Sequence, residues 1–375
     1  MSKARLQSAA ALARQLGRGW QQEVGLVIAI VLIGSYFTSR NSVFLSLQNL
    51  GNIAEQSTFL GLLAVAMTFV VVSGQFDLSV GSMFGLSAIA FAVALEAGWN
   101  VWLAALAGIA AGAAMGLTNG LLSVLLRVPV IIITLGTLSI YRGTSYWISD
   151  GFPVSNFGQS SDLFKFGQGQ LIPWPSALDW IPDLVLALAG VGLLGHLLLS
   201  RTAFGQHVYA LGSNRRAAQL AGVHVNRVQV GALTLLGATA GVAGVLGVAE
   251  AGSADPNGGV GYELDVIAAV IIGGAAITGG RGRVLASLLG IWLIGEVRNG
   301  LVISGVSLYG QIIVSGVLVL AAVAVDRLIT GRGERQASLR LELARGISRL
   351  IRRLQRLEPG SRRRRTRPIS KEDER

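Results

Sequence analysis

Apolar segments long enough to cross a bilayer recur along almost the whole of this chain. That recurrence limits the possible folds more than any other feature. The runs lie near 24–38, 53–73, 80–97, 101–126, 129–148, 184–200, 228–250, 264–279, 284–303 and 308–326. Each is a candidate to cross ~30 Å of hydrocarbon. In lipid every backbone polar group needs an internal partner, and a helix supplies it within one segment. The expected fold class is therefore all-α, a polytopic membrane bundle of about ten transmembrane helices. Composition agrees, because 52% of the 375 residues are hydrophobic and only 14% are charged, more apolar than a soluble core requires.

Basic residues orient the bundle, since cytoplasmic segments carry the excess of Lys and Arg. Lys3, Arg5, Arg14 and Arg18 precede the first run, and no small-residue cleavage site follows it. This predicts an uncleaved first span with its N-terminus inside. Ten spans then place Arg127, Arg201, Arg215, Arg216, Arg227, Arg281, Arg283 and Arg327 inside, and leave Arg40 and Lys165 outside. Both termini are expected to be cytoplasmic. The net charge of +11 is concentrated at the end, where residues 331–375 hold 15 basic and 6 acidic side chains. A basic tail beside a membrane marks topology and contacts anionic lipid; no nucleic-acid partner is expected. The chain thus reads as three regions: a basic N-terminal segment over 1–22, a transmembrane domain over 23–327, and a cytoplasmic basic tail over 328–375. Within the tail, Leu343, Ile347, Leu350, Leu354 and Leu357 predict an amphipathic helix over about 339–357 with a disordered end.

Several function classes are excluded. A phosphate-binding GxxxxGK[ST] loop needs a lysine, and Lys3, Lys165 and Lys371 all lie elsewhere, so the chain has no ATPase site of that kind. HExxH and GxSxG are absent. "GGRGR" from Gly279 lacks the full GxGxxG and sits at a membrane edge. The chain has no cysteine, and His196, His207 and His224 are scattered, so neither a metal site nor a catalytic cluster is expected.

Polar residues at membrane depth are the candidates for function. "SGQFDLSVGS" interrupts two apolar runs and predicts a broken or re-entrant segment near 74–82. There Asp77 either helps shape a pathway, for which Ser79, Gly81 and, farther along the chain, Asn119 and Arg142 are further candidates, or caps the following helix. Arg142 is either a structural ion-pair partner or a contact for a polar ligand. Glu55, Glu96, Glu250, Asp265, Glu296 and Arg298 also lie in or near predicted spans. "GIAAGAAMGLTNG" sets Gly108, Gly112, Gly116 and Gly120 on one helix face, and "GATAGVAG" repeats the pattern; both predict close helix packing. The outer loop over about 149–183 is either a connector or a surface for a partner.

The segment "FGQHVYALGSNRRAAQLAGVHVNR" is too polar to insert and far longer than a connector needs. "SNRRAAQLAGV" predicts a short helix with Ser213 or Asn214 at its N-cap and Gly222 at its end. A small-faced helix of this kind suits docking into a groove on another protein. Together with "SGQFDLSVGSMFGL", "VPVIIITLGTLSIYRG" and "LDVIAAVIIGGAAITGGRGRVLASLLG", this segment resembles the permease subunits of bacterial ABC importers for monosaccharides, over residues of about 40–326. The resemblance implies that Asn214, Arg215, Arg216, Ala217, Ala218, Ala221 and Gly222 form the helix that couples to a cytoplasmic ATPase; the arginine distribution separately places Gly280, Arg281 and Gly282 in a cytoplasmic loop. It further implies a periplasmic sugar-binding protein, a second permease subunit, an inner-membrane location, and ATP and Mg bound by the partner rather than by this chain. Many family members have Gly-Gly-Ile-Asp where this chain has Gly74-Gln75-Phe76-Asp77. An ion-coupled secondary sugar transporter is the competing reading.

Overall fold

The computed structural model describes residues 23–307, 309–321 and 323–324. The expected N-terminal segment over 1–22 and the tail helix over 339–357 lie outside them. The chain divides into two units at Asp326. The helices of the first unit are α1 (Glu23–Arg40), α2 (Leu47–Val72), α3 (Val80–Glu96), α4 (Val101–Leu126), α5 (Val130–Ile148), α6 (Asp162–Gly167), α7 (Leu184–Arg201), α8 (Ala203–Ser213), α9 (Arg215–Leu220), α10 (Val225–Ala251), α11 (Tyr262–Ile272), α12 (Val284–Ile303) and α13 (Tyr309–Ala321). No strand forms among the described residues; one isolated bridge pairs Val154 with Ala254.

Among the described residues, six helices are long and apolar enough to span a membrane: α1, α2, α4, α7, α10 and α12. By that measure the expected ten spans are not reached. α3 and α13 are apolar but shorter. α5 has 19 residues, but Thr134, Thr137, Tyr141, Arg142 and Ser145 dilute its apolar character. α11 has only 11 residues, where the hydropathy run extended to 279. It stops because Gly274 turns left-handed at φ +87°. The amides of Gly274 and Ala275 then fold back onto Ile271 and Val270 at 2.8 and 3.1 Å, which satisfies carbonyls that would otherwise be orphaned.

α2 is the central post, with 89% of its most apolar 18-residue stretch buried, whereas α1 is peripheral at 11%. α7, α10, α11 and α12 pack around α2. Polar bonds tie α2 to α12 at both ends. Asn49 and Asn299 exchange side-chain amide bonds at 2.8 and 3.0 Å, and Thr68 lies 2.8 Å from Ser287. Such bonds between membrane helices average about 0.6 kcal/mol.

The two glycine stripes seen in the sequence meet each other. A Cβ at Gly112 would sit 2.8 Å from the Gly241 nitrogen, and one at Gly116 would sit 3.0 Å from the Gly237 nitrogen. One at Gly108 would reach Val245 at 2.9 Å, and one at Gly120 would reach the Val230 Cα at 2.9 Å. Glycine therefore lets α4 and α10 touch backbone to backbone, and this seam organises one half of the bundle.

Candidate functional site

The interruption between α2 and α3 is built from its own sequence. α2 ends at Val72 with Ser73 as its C-cap, and Gly74 follows at φ +81°. The Gly74 and Gln75 amides donate to Val71 and Val70 at 2.9 and 3.1 Å, so the chain leaves the helix through a glycine-dependent cap. It then runs without helix as far as Ser79, the residue before α3. Asp77 and Ser79 are completely buried.

A closed polar network holds this break. Oδ1 of Asp77 accepts from the Ser79 amide and the Ser79 hydroxyl, both at 2.7 Å. Oδ2 accepts from Asn119 Nδ2 at 3.1 Å. The same amide reaches Ser79 Oγ at 2.8 Å, and Asn119 Oδ1 lies 3.0 Å from the Tyr141 hydroxyl. Leu78 N donates to Thr134 Oγ1 at 3.2 Å. Asp77, Ser79 and Asn119, singled out from the sequence, therefore come together and are joined by Tyr141 and Thr134, which were not. The missed signal was periodic: Val130, Thr134, Thr137, Tyr141 and Ser145 are the buried positions of α5 and fall on one helical face. Asp77 bonds the amide two residues on, not one inside α3, so it shapes the turn into the helix rather than capping its first turn. Every polar side-chain atom of Asp77, Ser79 and Asn119 is engaged within the network.

Gly81 and Arg142 belong to an adjoining group. A Cβ at Gly85, one turn beyond Gly81, would lie 2.8 Å from the Gly258 carbonyl and 3.0 Å from Arg142 Nη1. Gly81 itself packs against Gly259 and lies close to the Glu263 carboxyl. Arg142 Nη1 donates to the Pro256 and Gly258 carbonyls at 2.6 and 2.8 Å. Among the described residues it forms no ion pair within bonding distance. The loop over 252–261 thus reaches the first turns of α3, and a guanidinium satisfies carbonyls that would otherwise be stranded. Asp265, by contrast, pairs with Arg298.

A second centre surrounds the polar segment after α7. Thr202 caps α8, accepting from Gly205 N at 3.3 Å. α8 buries Gly205, Val208 and Leu211. Asn214 is the N-cap of α9, accepting from Ala217 N at 2.9 Å, and Gly222 at φ +85° follows its end. Arg215 turns back to Gln229 and Asn226 of α10, both at 2.9 Å. The seven residues assigned to this element divide by burial. Ala218 turns inward, at 5% exposure, while Arg216, Ala217 and Ala221 face out. Leu220 is 84% exposed. Beside it the surface is indented, lined by Gln219, Val223, His224, Asn226 and Arg227.

Residues 49–323 match the family described as branched-chain amino acid transport system / permease component. The chain belongs to this permease family. The matched region contains every candidate residue named above. Among curated relatives in Escherichia coli K12, the ribose import permease protein is 36% identical over 315 residues, covering 84% of this chain and 96% of its own length. The D-allose transport system permease protein is 35% identical, covering 83% and 93%. The L-arabinose transport system permease protein is 34% identical, covering 83% and 92%. No solved structure matches the chain.

In this permease, the 280–282 loop meets both the end of α2 and the polar segment. Gly280 N donates to the Val72 carbonyl at 2.8 Å, and the Tyr209 hydroxyl donates to the Gly282 carbonyl at 2.8 Å. Burial pushes the Tyr209 phenol above its ordinary value, against the pull of Arg283, so the hydroxyl keeps its proton as a donor. Arg283 forms an ion pair with Glu23 at 2.8 Å. At the other end of the bundle the 149–183 loop is pinned rather than loose. Asp183 accepts from Leu171 N, Ile172 N and Trp174 Nε1 at 2.8–3.1 Å. Val154 and Ala254 exchange backbone bonds at 2.9 Å, linking that loop to 252–261.

Proposed function

We propose that this permease carries a monosaccharide across the bacterial inner membrane by alternating access, driven by a separate ATP-binding subunit seated on α9. The observation that carries the reading is the face of α9. Arg216, Ala217, Leu220 and Ala221 are exposed on a helix held by Asn214, Arg215 and Gly222. A short rigid helix with one exposed apolar knob among small residues fits a groove on a partner protein. The family description speaks of branched-chain amino acids, whereas the three relatives are named for ribose, D-allose and L-arabinose. Those relatives match nearly end to end, and this favours a sugar.

On this reading α3, α5, α11 and α13 complete ten membrane-embedded helices, with both termini cytoplasmic and the Arg-bearing loops inside. The assembly is two permease subunits, two ATP-binding subunits and a periplasmic binding protein received by the 149–183 and 252–261 loops. ATP and Mg belong to the partner. The Asp77 network holds the shape of the break, since its polar atoms are all internally engaged.

The test is capture. The tagged permease, solubilised from its native membrane, brings down an ATP-binding subunit, and Ala217→Glu loses it while still reaching the membrane. Recovery of the wild-type chain without any ATP-binding subunit contradicts the reading.

One observation favours the ion-coupled carrier: Glu296 of α12 is buried, with Oε2 lacking any hydrogen-bond partner. An unpaired carboxyl inside a bundle is the kind of group that carriers load with ions. Under the ATP-driven reading, Glu296→Gln leaves uptake intact; under the carrier reading it abolishes uptake.

A further inference from the structure

Three segments meet backbone to backbone where α8 ends. The Val72 carbonyl at the end of α2 accepts from Gly280 N at 2.8 Å. Gly212 of α8 lies against both groups: a Cβ there would sit on the Val72 oxygen and 2.5 Å from Gly280 N. A Cβ at Gly279 would lie 2.8 Å from the Gly74 Cα and 3.0 Å from the Gly212 Cα. One at Gly280 would meet Ser213 Oγ at 2.5 Å. One turn earlier on α8, the Tyr209 hydroxyl holds the Gly282 carbonyl.

Side chains can change rotamer to absorb a displacement, but four glycines in contact have none. Close-packed backbone passes strain on instead of dissipating it. One side of this junction is α8, which continues through Asn214 into α9. The other two sides are Gly74, where the α2–α3 break begins, and the 279–282 turn that leads into α12.

We propose that Tyr209 and Gly212 are positioning residues that transmit movement of α9 as a rigid unit to the α2–α3 break and to the start of α12. This rests on the reading of α9 as the seat of the ATP-binding subunit. It adds the route by which that seat reaches the membrane helices. Loss of either contact leaves the ATP-binding subunit bound and turning over, but its strokes no longer move the break.

The experiment reads the ATP hydrolysed per sugar imported. The full complex, with its own ATP-binding subunit and binding protein, is placed in proteoliposomes with the first of D-ribose, D-allose or L-arabinose that the wild type imports. Site-to-site couplings are typically worth ~5–150-fold. Gly212→Ala is expected to raise the ratio about tenfold and Tyr209→Phe severalfold, on the same scale. Gly116→Ala is the control, because its methyl strikes the Leu233 carbonyl in the α4–α10 seam, away from the junction. It lowers the amount of folded complex and leaves the ratio unchanged. Tyr209→Phe removes a single oxygen and decides the matter alone if Gly212→Ala does not assemble. A wild-type ratio in Tyr209→Phe overturns the proposal, as does one in Gly212→Ala or an equal rise in Gly116→Ala. A wild-type complex that captures no ATP-binding subunit overturns the reading of α9 instead, and with it this proposal.

Discussion

At the scale of single residues, a buried carboxylate is tolerable only when its oxygens are occupied. Asp77 meets that demand through three donors from Ser79 and Asn119. Asp77→Ala strands the Ser79 amide in a closed site, and an unsatisfied buried group costs about 1–3 kcal/mol. The expected outcome is a thermal midpoint in detergent several degrees below wild type, with Asp77→Asn intermediate because one acceptor oxygen remains. Arg142 does comparable work for backbone carbonyls. Arg142→Ala is expected to leave the fold intact and to speed amide hydrogen exchange over 254–260, which mass spectrometry would read. Unchanged exchange would remove Arg142 as the anchor of that loop. Asp77, Asn119 and Arg142 stood out in the sequence because charge and amides within long apolar runs are expensive to bury. Their partners were less legible: a backbone carbonyl has no sequence signature, so nothing in "SADPNGG" announced that Arg142 holds it.

At the scale of elements, glycine spacing was the most informative pattern. Stripes on α4 and α10 predicted close packing, and they proved to be each other's partners, because only two glycine faces allow that approach. Hydropathy was a poorer guide to helix ends. It ran through Gly273 and Gly274, where a left-handed cap stops α11, and it could not weigh the hydroxyls that thin the apolar character of α5. For α9 the sequence supplied the helix and its Asn214 cap, but six residues are too few for periodicity to say which alanine faces inward. That difference gives a sharp prediction. Ala217→Glu places an unpaired charge on the docking face, weakening capture of the ATP-binding subunit by ~100-fold or more with α9 intact. Ala218→Glu buries the charge against this chain itself and lowers the thermal midpoint. If the two variants lost capture equally and neither lost stability, the assigned face of α9 would be wrong.

At the scale of the whole molecule, the exposed face of α9 and the pinned 149–183 and 252–261 loops are the two surfaces that the proposed function assigns to partners. The basic tail over 328–375 lies outside the family match, which ends at residue 323. Deleting residues 361–375 is therefore expected to leave uptake close to wild type in intact cells. The measurement that tests the account most directly is sugar uptake into proteoliposomes holding the permease, its ATP-binding subunit and its binding protein. Internal ATP is supplied or withheld, and ion gradients are collapsed by ionophore. The account predicts accumulation that requires ATP and survives the ionophore. Accumulation that proceeds without ATP and stops with the ionophore would contradict it, and would make this chain a carrier.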